Sequence, residues 1–198
     1  MSAPRLIAYR ELAPSPWKNG LGVTREIGLV PSTLLDAGFR FRVSRAVIDA
    51  QAPFSKYPGV RRWLVLARGG ALELRFDGQP LRQLERIGEI CAFGGDEVVE
   101  GVPLDGPSED FNLMLADATL DAEVIARPLV GSMILHQPAR AWLLFHLLDG
   151  QAHLQGTAQM LAAGDTLWID PADGDRIAAR IDGGGTALIL VIGPHSSS

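Results

Sequence analysis

Three segments of this chain carry polar side chains of complementary chemistry, spaced two residues apart. They are Thr24 with Glu26, Arg42 with Ser44, and Asp110 with Asn112. Residues two apart on a β-strand point to the same face of a sheet, so each pair is expected to share a face. A cation, two carboxylates, an amide and two hydroxyls suit recognition of a small polar ligand. Plain solvent faces instead repeat Lys, Glu and Thr.

The loop before the first of these segments adds further donors. Residues 16–26 include Lys18, Asn19, Gly20 and Gly22. Glycines let the backbone turn sharply or approach a ligand closely, and Lys and Asn supply hydrogen-bond donors for an anion or a carbonyl. We expect Lys18 and Asn19 to reach toward a ligand from this loop, while Arg25 falls on the opposite face of the strand.

Alternation alone leaves two interpretations open, because antiparallel sheets ordinarily carry one polar and one apolar face. The polar faces point either to solvent or into the mouth of a small barrel, where one ligand can bind. Opposite faces carry apolar residues such as Phe41, Val43 and Phe111, which are enough to pack a sheet.

The elements that position these residues are short strands. The 198 residues include 22 Gly and 13 Pro, scattered between short apolar runs, and helical periodicity is nearly absent. A weak internal repeat relates residues 66–71 to 147–152 and residues 88–93 to 164–169. The pattern predicts an all-β bicupin of two tandem antiparallel jelly-roll barrels: an N-terminal barrel with the pocket (1–115), a connection (116–138) and a degenerate C-terminal barrel (139–195).

Charge and composition limit the partners. Residues 1–62 hold ten Lys or Arg and four Asp or Glu, whereas residues 63–198 hold eight and nineteen. The basic charges alternate with apolar residues instead of forming a run, so we expect no nucleic-acid partner. No apolar run approaches the roughly 18 residues of a membrane span. Cys91, the one cysteine, excludes an internal disulfide and fits a reducing, cytoplasmic setting.

Several of these blocks resemble the HutD/Ves family of bicupins. They are residues 17–20, 24–26, 41–44, 53–55, 57–59, Arg62, 106–107 and 110–114. The resemblance spans about residues 5–115, with Leu21 where the family usually has another glycine. It implies a tandem cupin fold and an association with histidine utilisation, whose chemistry passes through urocanate and, in some bacteria, N-formylglutamate. It brings no firmly established catalytic reaction.

Side-chain chemistry suggests a role for each candidate. Arg42 and Arg62 are the best carboxylate clamps, because a guanidinium makes two parallel charge-assisted hydrogen bonds to a planar anion. Lys18 adds a third cation. Neutral hydrogen bonds to an amide, a formyl group or a ring nitrogen would come from Asn19, Thr24, Ser44 and Asn112.

Carboxylates and aromatic residues complete the predicted pocket. Glu26 and Asp110 either orient the arginines or receive a substrate N–H, and a carboxylate beside an arginine is expected to stay ionised. Phe54 and Tyr57, with Trp17, are expected to form an apolar wall. For these aromatic residues, simple core packing is the competing interpretation.

The histidine inventory limits metal chemistry. No histidine precedes His136, which excludes a histidine-ligated metal in the first barrel. In the second barrel Pro138 stands where a cupin metal site has its partner ligand. We therefore expect no metal and no cofactor.

Three functions stay open at this point. We favour a metal-independent cupin that binds a small carboxylate or amide metabolite, urocanate-like or N-formylglutamate-like, and regulates or buffers histidine utilisation. The alternative is a metal-free isomerase or hydrolase with Glu26 or Asp110 as its base. The third treats the pocket as vestigial and the second barrel as an oligomerisation platform, with a homodimer left open.

Overall fold

A computed structural model describes residues 3–17 and 19–195. Within these ranges the regular structure is strand, apart from the single-turn 3-10 helix Tyr9–Glu11. The all-β prediction is therefore confirmed over the part of the chain described. Lys18, a predicted pocket cation, lies outside it. No helix in the described ranges is long and apolar enough to cross a membrane.

The strands are numbered in chain order. Their bounds are β1 Arg5–Ile7, β2 Pro14–Pro16, β3 Gly22–Pro31, β4 Phe39–Ile48, β5 Ala52–Pro53, β6 Arg61–Gly69, β7 Leu72–Phe76, β8 Arg82–Leu84, β9 Ile90–Gly94, β10 Val99–Pro103, β11 Ser108–Leu115, β12 Leu120–Gln137, β13 Trp142–Leu154, β14 Met160–Ala162, β15 Thr166–Ile169 and β16 Arg176–Pro194.

The chain divides into two compact units, and Leu12–Ala118 is here called the pocket unit. It contains a six-stranded sheet in the order β2-β3-β4-β11-β6-β9 and a four-stranded sheet in the order β5-β10-β7-β8. Neighbouring strands in both sheets run antiparallel. The six-stranded sheet carries the three polar pairs singled out in the sequence.

Apolar side chains from both sheets form the core of the pocket unit. Leu64 and Leu66 of β6 belong to one buried cluster with Ile48 of β4 and with Leu72 and Leu74 of β7. Each fully buried leucine or isoleucine contributes about 1.5–3 kcal/mol to folding. This cluster lies on the same face of β6 as Arg62, so that face changes from apolar to polar along the strand.

The second unit consists of the described parts of Met1–Glu11 and Thr119–Ser198. Its strands follow the order β1-β15-β13-β16-β12, and β14 pairs with β13. Phe145 and Leu147 of β13 share a buried cluster with Leu167 of β15 and Ile181 of β16.

The internal repeat has a structural counterpart in the strand neighbours. In the pocket unit β6 lies between β11 and β9, and in the second unit β13 lies between β16 and β15. The repeat aligns Gly69 with Gly150, and both have positive φ, +91° and +85°. A Cβ at either position would collide with a backbone carbonyl oxygen, of Pro107 and of Gly184 respectively. Only glycine fits both constraints at these two turns.

The domain boundaries differ from those predicted. Residues 116–138, expected as a connection, are mostly the 18-residue strand β12, which pairs with β16 along its whole length. The segment 3–11, assigned from sequence to the N-terminal barrel, belongs to the second unit through the pairing of β1 with β15. Pro128 lies within β12, which is the last strand of its sheet, and edge strands are where sheets accommodate proline.

Candidate functional site

The pairing of β4, β11 and β6 arranges the polar side chains in three rows across one face of the sheet. Asp110 of β11 lies opposite Ala46 and Leu66. Two residues along, Asn112 lies opposite Ser44 and Leu64. Two further on, Met114 lies between Arg42 and Arg62. The face therefore runs from a carboxyl end, through neutral polar groups, to an end with two arginines.

Strand β3 extends the first two rows. Thr24 pairs with Ala46 and Glu26 with Ser44, and the register then shifts between Glu26 and Gly28. The shift is a bulge, which redirects the following side chains. As a result Leu29, and no polar residue, stands opposite Arg42 in the third row.

A pocket of about 590 Å³ opens over these rows. This volume falls in the usual range for small-molecule sites, about 300–1,000 Å³. The described residues that line the pocket are Ser15, Pro16, Trp17, Asn19, Thr24, Arg42, Ser44, Ala46, Pro53, Phe54, Ser55, Tyr57, Arg62, Asp110, Asn112 and Met114.

Most of the predicted site residues meet in this pocket. The lining includes Asn19, Thr24, Arg42, Ser44, Phe54, Tyr57, Arg62, Asp110 and Asn112. Glu26 is outside the lining and forms an ion pair with Arg42, whose Nε donates to Glu26 Oε2 at 2.8 Å. Both side chains are partly exposed, and such pairs contribute about 0–1 kcal/mol. The carboxylate thus orients Arg42, one of the two roles predicted for it.

Sequence reasoning missed the residues contributed by extended segments at the rim. Ser15 and Pro16 come from β2, and Pro53 and Ser55 come from β5 and the residues after it. These segments are too short for alternation to be read. The available signal was the block 53–55, which resembles the family and contains both Pro53 and Ser55.

Arg62 is nearly fully buried, with 4% of its surface exposed. Its guanidinium packs against the rings of both Phe54 and Phe93, with Cζ 5.0 Å from each centroid. Cation–π contacts of this kind stabilise a desolvated cation. Its Nη1 donates weakly to the carbonyl of Ser55 at 3.4 Å, and its Nε has no hydrogen-bond partner. Burial lowers the pKa of Arg62, and Asp110 opposes that effect.

Asp110 is completely buried, and neither of its carboxyl oxygens has a hydrogen-bond partner. Burial raises the pKa of this carboxyl from its ordinary 3.8 to about 7, and the opposing effects of Arg62 and Arg45 are smaller. The expectation that a carboxylate beside an arginine stays ionised is therefore wrong for Asp110. Desolvation disfavours the charged form more than the nearby cations favour it.

Neutral polar groups lie in the rows of Asp110 and Asn112. Asn112 is buried, and its Oδ1 has no hydrogen-bond partner. Thr24 Oγ1 accepts a 2.8 Å hydrogen bond from the indole of Trp17. Since Thr24 Oγ1 is the acceptor in this bond, its own hydroxyl hydrogen is still available for donation to another group.

The loop in front of β3 is shaped by its own hydrogen bonds. The backbone N–H of Trp17 donates to Gly22 O at 2.9 Å, and that of Leu21 donates to Asn19 Oδ1 at 3.1 Å. The Asn19 side-chain carbonyl therefore accepts a hydrogen bond within the loop, and Asn19 also lines the pocket. A Cβ on Gly22 would lie 2.5 Å from Val47 O and 3.0 Å from the Trp17 ring, so this position requires glycine.

The aromatic side chains of Phe54 and Tyr57 both pack in the core and form a wall of the pocket. Phe54 packs against the buried cluster of the pocket unit and stacks on Arg62, while Tyr57 packs against the cluster of Phe39 and Met114. Both also line the pocket. A wall of this kind favours a ligand with a flat apolar middle.

The donor set of the pocket does not match a histidine-ligated metal site. Among its described lining residues Asp110 is the one carboxylate, and none is a histidine. Across residues 3–17 and 19–195, no three His, Cys, Asp or Glu side chains cluster closely enough to hold a metal ion. Arginine, amide, hydroxyl and carboxyl groups can instead bind an organic anion by hydrogen bonding.

Known proteins resemble this chain over nearly its whole length. The HutD family model matches residues 9–189. An uncharacterized 21.2 kDa protein in the hutC 3′ region of Pseudomonas putida is 34% identical over 145 residues, which cover 73% of this chain and 74% of that protein.

Solved structures show the same fold. HutD from Pseudomonas fluorescens SBW25, in a formate condition, superimposes with a TM-score of 0.83 at 26% identity, covering 98% of this chain and 100% of that one. A bacterial pirin from Escherichia coli in complex with nickel(II) gives a TM-score of 0.66 at 12% identity, covering 96% and 98%. The second likeness is one of fold, and the fold is cupin-like.

Proposed function

Since this chain belongs to the HutD family, we propose that its pocket binds a small carboxylate metabolite and that the protein regulates or buffers histidine utilisation through this binding. The family and the cupin-like fold make the protein a histidine-utilisation-associated cupin. The ligand class, the freedom from metal and the regulatory role are the proposed parts. The candidate ligands are acids of the size of urocanate and N-formylglutamate.

One observation carries the proposal: buried polar atoms of Arg62, Asn112 and Asp110 face one pocket with no partner in the protein. Leaving such a group unpaired costs about 1–3 kcal/mol, and more for a charged group. A ligand that satisfies these atoms recovers that energy on binding. A vestigial pocket would be expected to have lost such costly groups to apolar residues.

The arginine end determines the charge of the ligand. Arg62 presents an unpartnered Nε, and Arg42 lies opposite Met114 on the other side of the same row. Two guanidinium groups at one end of a pocket match a carboxylate, which can accept two parallel hydrogen bonds from one arginine and further hydrogen bonds from the other. Formate, named in the structure of the Pseudomonas fluorescens protein, is the smallest probe of this end.

We also infer that the two units are two tandem cupin barrels. Their equivalent strand neighbours and the matched glycines of the repeat support this arrangement. Only the pocket unit carries the polar rows, so ligand binding is assigned to it.

Metal-free acid–base catalysis is the second candidate, and the pKa of Asp110 favours it. A carboxyl that titrates at about 7 can take and return a proton near neutral pH. The described pocket residues offer no nucleophile paired with a base, however, so binding is the function that the geometry supports best.

Incubation of the purified protein with urocanate, and separately with N-formylglutamate, distinguishes the two functions. Thermal unfolding detects binding as a rise in Tm, and NMR of the same samples detects any product. A rise in Tm without product supports the binding protein, whereas product formation supports the enzyme. An unchanged Tm with both acids would count against both functions.

A further inference from the structure

We propose that Asp110 selects ligands that carry an N–H donor at the end opposite their carboxylate, and that it gives up a proton when such a ligand binds. The inference rests on the proposed function, because it assumes that Arg62 holds the carboxylate. It adds the chemistry of the other end of the ligand.

The deep end of the pocket contains acceptors that no donor satisfies. Both oxygens of Asp110 and Oδ1 of Asn112 are buried and unpartnered, and these two residues lie two apart on β11. The unpartnered donor among the described buried side chains of this pocket is Nε of Arg62, at the other end. A ligand that fits both ends is therefore an acceptor at the arginine end and a donor at the Asp110 end.

The strand register sets the spacing. On β11 and β6, Asp110 lies opposite Leu66 and Met114 lies opposite Arg62, four residues along. Four residues of antiparallel strand span about 13 Å between Cα atoms. Arg62 and Asp110, which both lie within the described ranges, make no ion pair. Nε of Arg62 and both carboxyl oxygens of Asp110 have no hydrogen-bond partner. Both groups line one pocket of about 590 Å³, so a short bifunctional molecule can contact both, and the walls of Phe54 and Tyr57 favour a flat ring in it.

The charged groups around Asp110 allow its proton to leave. Arg62 on β6 and Arg45 on β4 favour the ionised form, and Glu109 on β11 opposes it. Arg45 is already paired with Glu109, with 2.7 Å between Nη2 and Oε2. Strands β2 and β3 contribute to this pocket the uncharged Ser15 and Thr24. Burial raises the pKa of Asp110 to about 7. A hydrogen bond donated by a ligand N–H favours the ionised carboxylate, so near neutral pH it shifts Asp110 toward that form.

The proton balance distinguishes a donor from an acceptor. When a ligand N–H donates to Asp110, the ionised form is stabilised and a proton passes to solvent. When a ligand oxygen faces Asp110, the protonated form is stabilised as the donor, and a proton is taken up. The carboxylate at Arg62 affects Asp110 equally for both kinds of ligand, so the difference in proton exchange between a matched N–H ligand and oxygen ligand reports which chemistry the site prefers.

Two isosteric probes test the proposal on the unmodified protein. 3-(Pyrrol-2-yl)acrylate and 3-(furan-2-yl)acrylate differ in one ring position, N–H against O, and neither ring titrates near neutral pH. Calorimetry at pH 7 in two buffers of different ionisation enthalpy gives both the affinity and the number of protons exchanged. We expect the pyrrole acid to bind at least about tenfold more tightly, with net proton release.

The variant Asp110→Asn separates Asp110 from the rest of the pocket. The affinity gap between the two acids should shrink, and proton release should disappear, while both acids still bind through Arg62. Equal affinities in the unmodified protein, a preference for the furan acid, or release that persists in Asp110→Asn would overturn the assignment to Asp110 and leave the carboxylate pocket standing. Failure of both acids to bind would overturn the pocket as well.

Discussion

Arg62 and Asp110 face the same pocket from neighbouring strands, and each keeps a buried polar atom that no described group of the protein satisfies. A protein that used this pair for stability alone would be expected to bring them into contact, as Arg45 and Glu109 are at 2.7 Å on the same sheet. The separation costs folding free energy, since unpaired buried charges are disfavoured. A ligand that bridges the two groups explains why the arrangement persists.

The pH dependence of stability should report the burial of Asp110. Its pKa is about 7 in the folded protein, above the ordinary 3.8, so the folded state holds this proton more tightly than the unfolded state. Stability from this group is complete below about pH 4 and is lost as pH rises through 7. Relative to Asp110→Asn, the wild-type protein should lose on the order of 3 kcal/mol of unfolding free energy between pH 4 and pH 8.

Urea unfolding of both proteins at several pH values measures this difference. Comparison with the variant removes the contributions of the other carboxyl groups, which are common to both proteins. Parallel curves of unfolding free energy against pH would show that Asp110 titrates normally and would remove the basis for its assigned role.

Trp17 should report ligand entry by fluorescence. It lines the pocket and donates its indole N–H to Thr24 at 2.8 Å, so a ligand changes its surroundings directly. Trp63 follows Arg62 on β6 and therefore points to the opposite face. Titration with urocanate should change the emission of the wild-type protein and of Trp63→Phe, and leave that of Trp17→Phe unchanged. A signal that survives in Trp17→Phe and vanishes in Trp63→Phe would place the ligand elsewhere.

Gly22→Ala should destabilise the protein and weaken binding together. The added methyl group meets Val47 O at 2.5 Å and the Trp17 ring at 3.0 Å, so the loop must move. Overpacking of this kind costs about 1–3 kcal/mol. Gly174→Ala is a matched control, because its Cβ meets nothing within 4 Å. Thermal unfolding measures the stability of both variants, and calorimetry measures their affinity for urocanate. Equal Tm values and equal affinities in Gly22→Ala and Gly174→Ala would mean that the loop does not constrain the pocket.

The sequence predicted the polar rows because alternation needs only local information. Arg42 with Ser44 and Asp110 with Asn112 lie on regular strands, and pairing brought them onto one face as expected. Glu26 keeps the expected register opposite Ser44 but pairs with Arg42 and lies outside the pocket lining. The bulge after Glu26 was not predicted, because a single extra residue is invisible to a period of two. Alternation predicted that Glu26 could orient an arginine, but the structure was needed to show that this arginine is Arg42.

Burial and sheet position explain the other differences. The ionisation of Asp110 depends on how much protein covers it, and sequence spacing carries no information about that. The segment 116–138, predicted as a connection, contains Pro128 within β12, and the position of β12 at the end of its sheet permits a proline there. Pro138 directly follows the last residue of β12.

Calorimetric titration of urocanate measures whether Arg62 anchors a carboxylate in this pocket. The proteins to compare are the wild type, Arg62→Lys and, as the control, Arg86→Lys, whose side chain is 85% exposed outside the pocket. A lysine keeps the charge but loses the forked donors, so Arg62→Lys should bind at least about tenfold more weakly. The control should match the wild type. Wild-type affinity in a folded Arg62→Lys protein, or no binding by the wild type, would contradict the account.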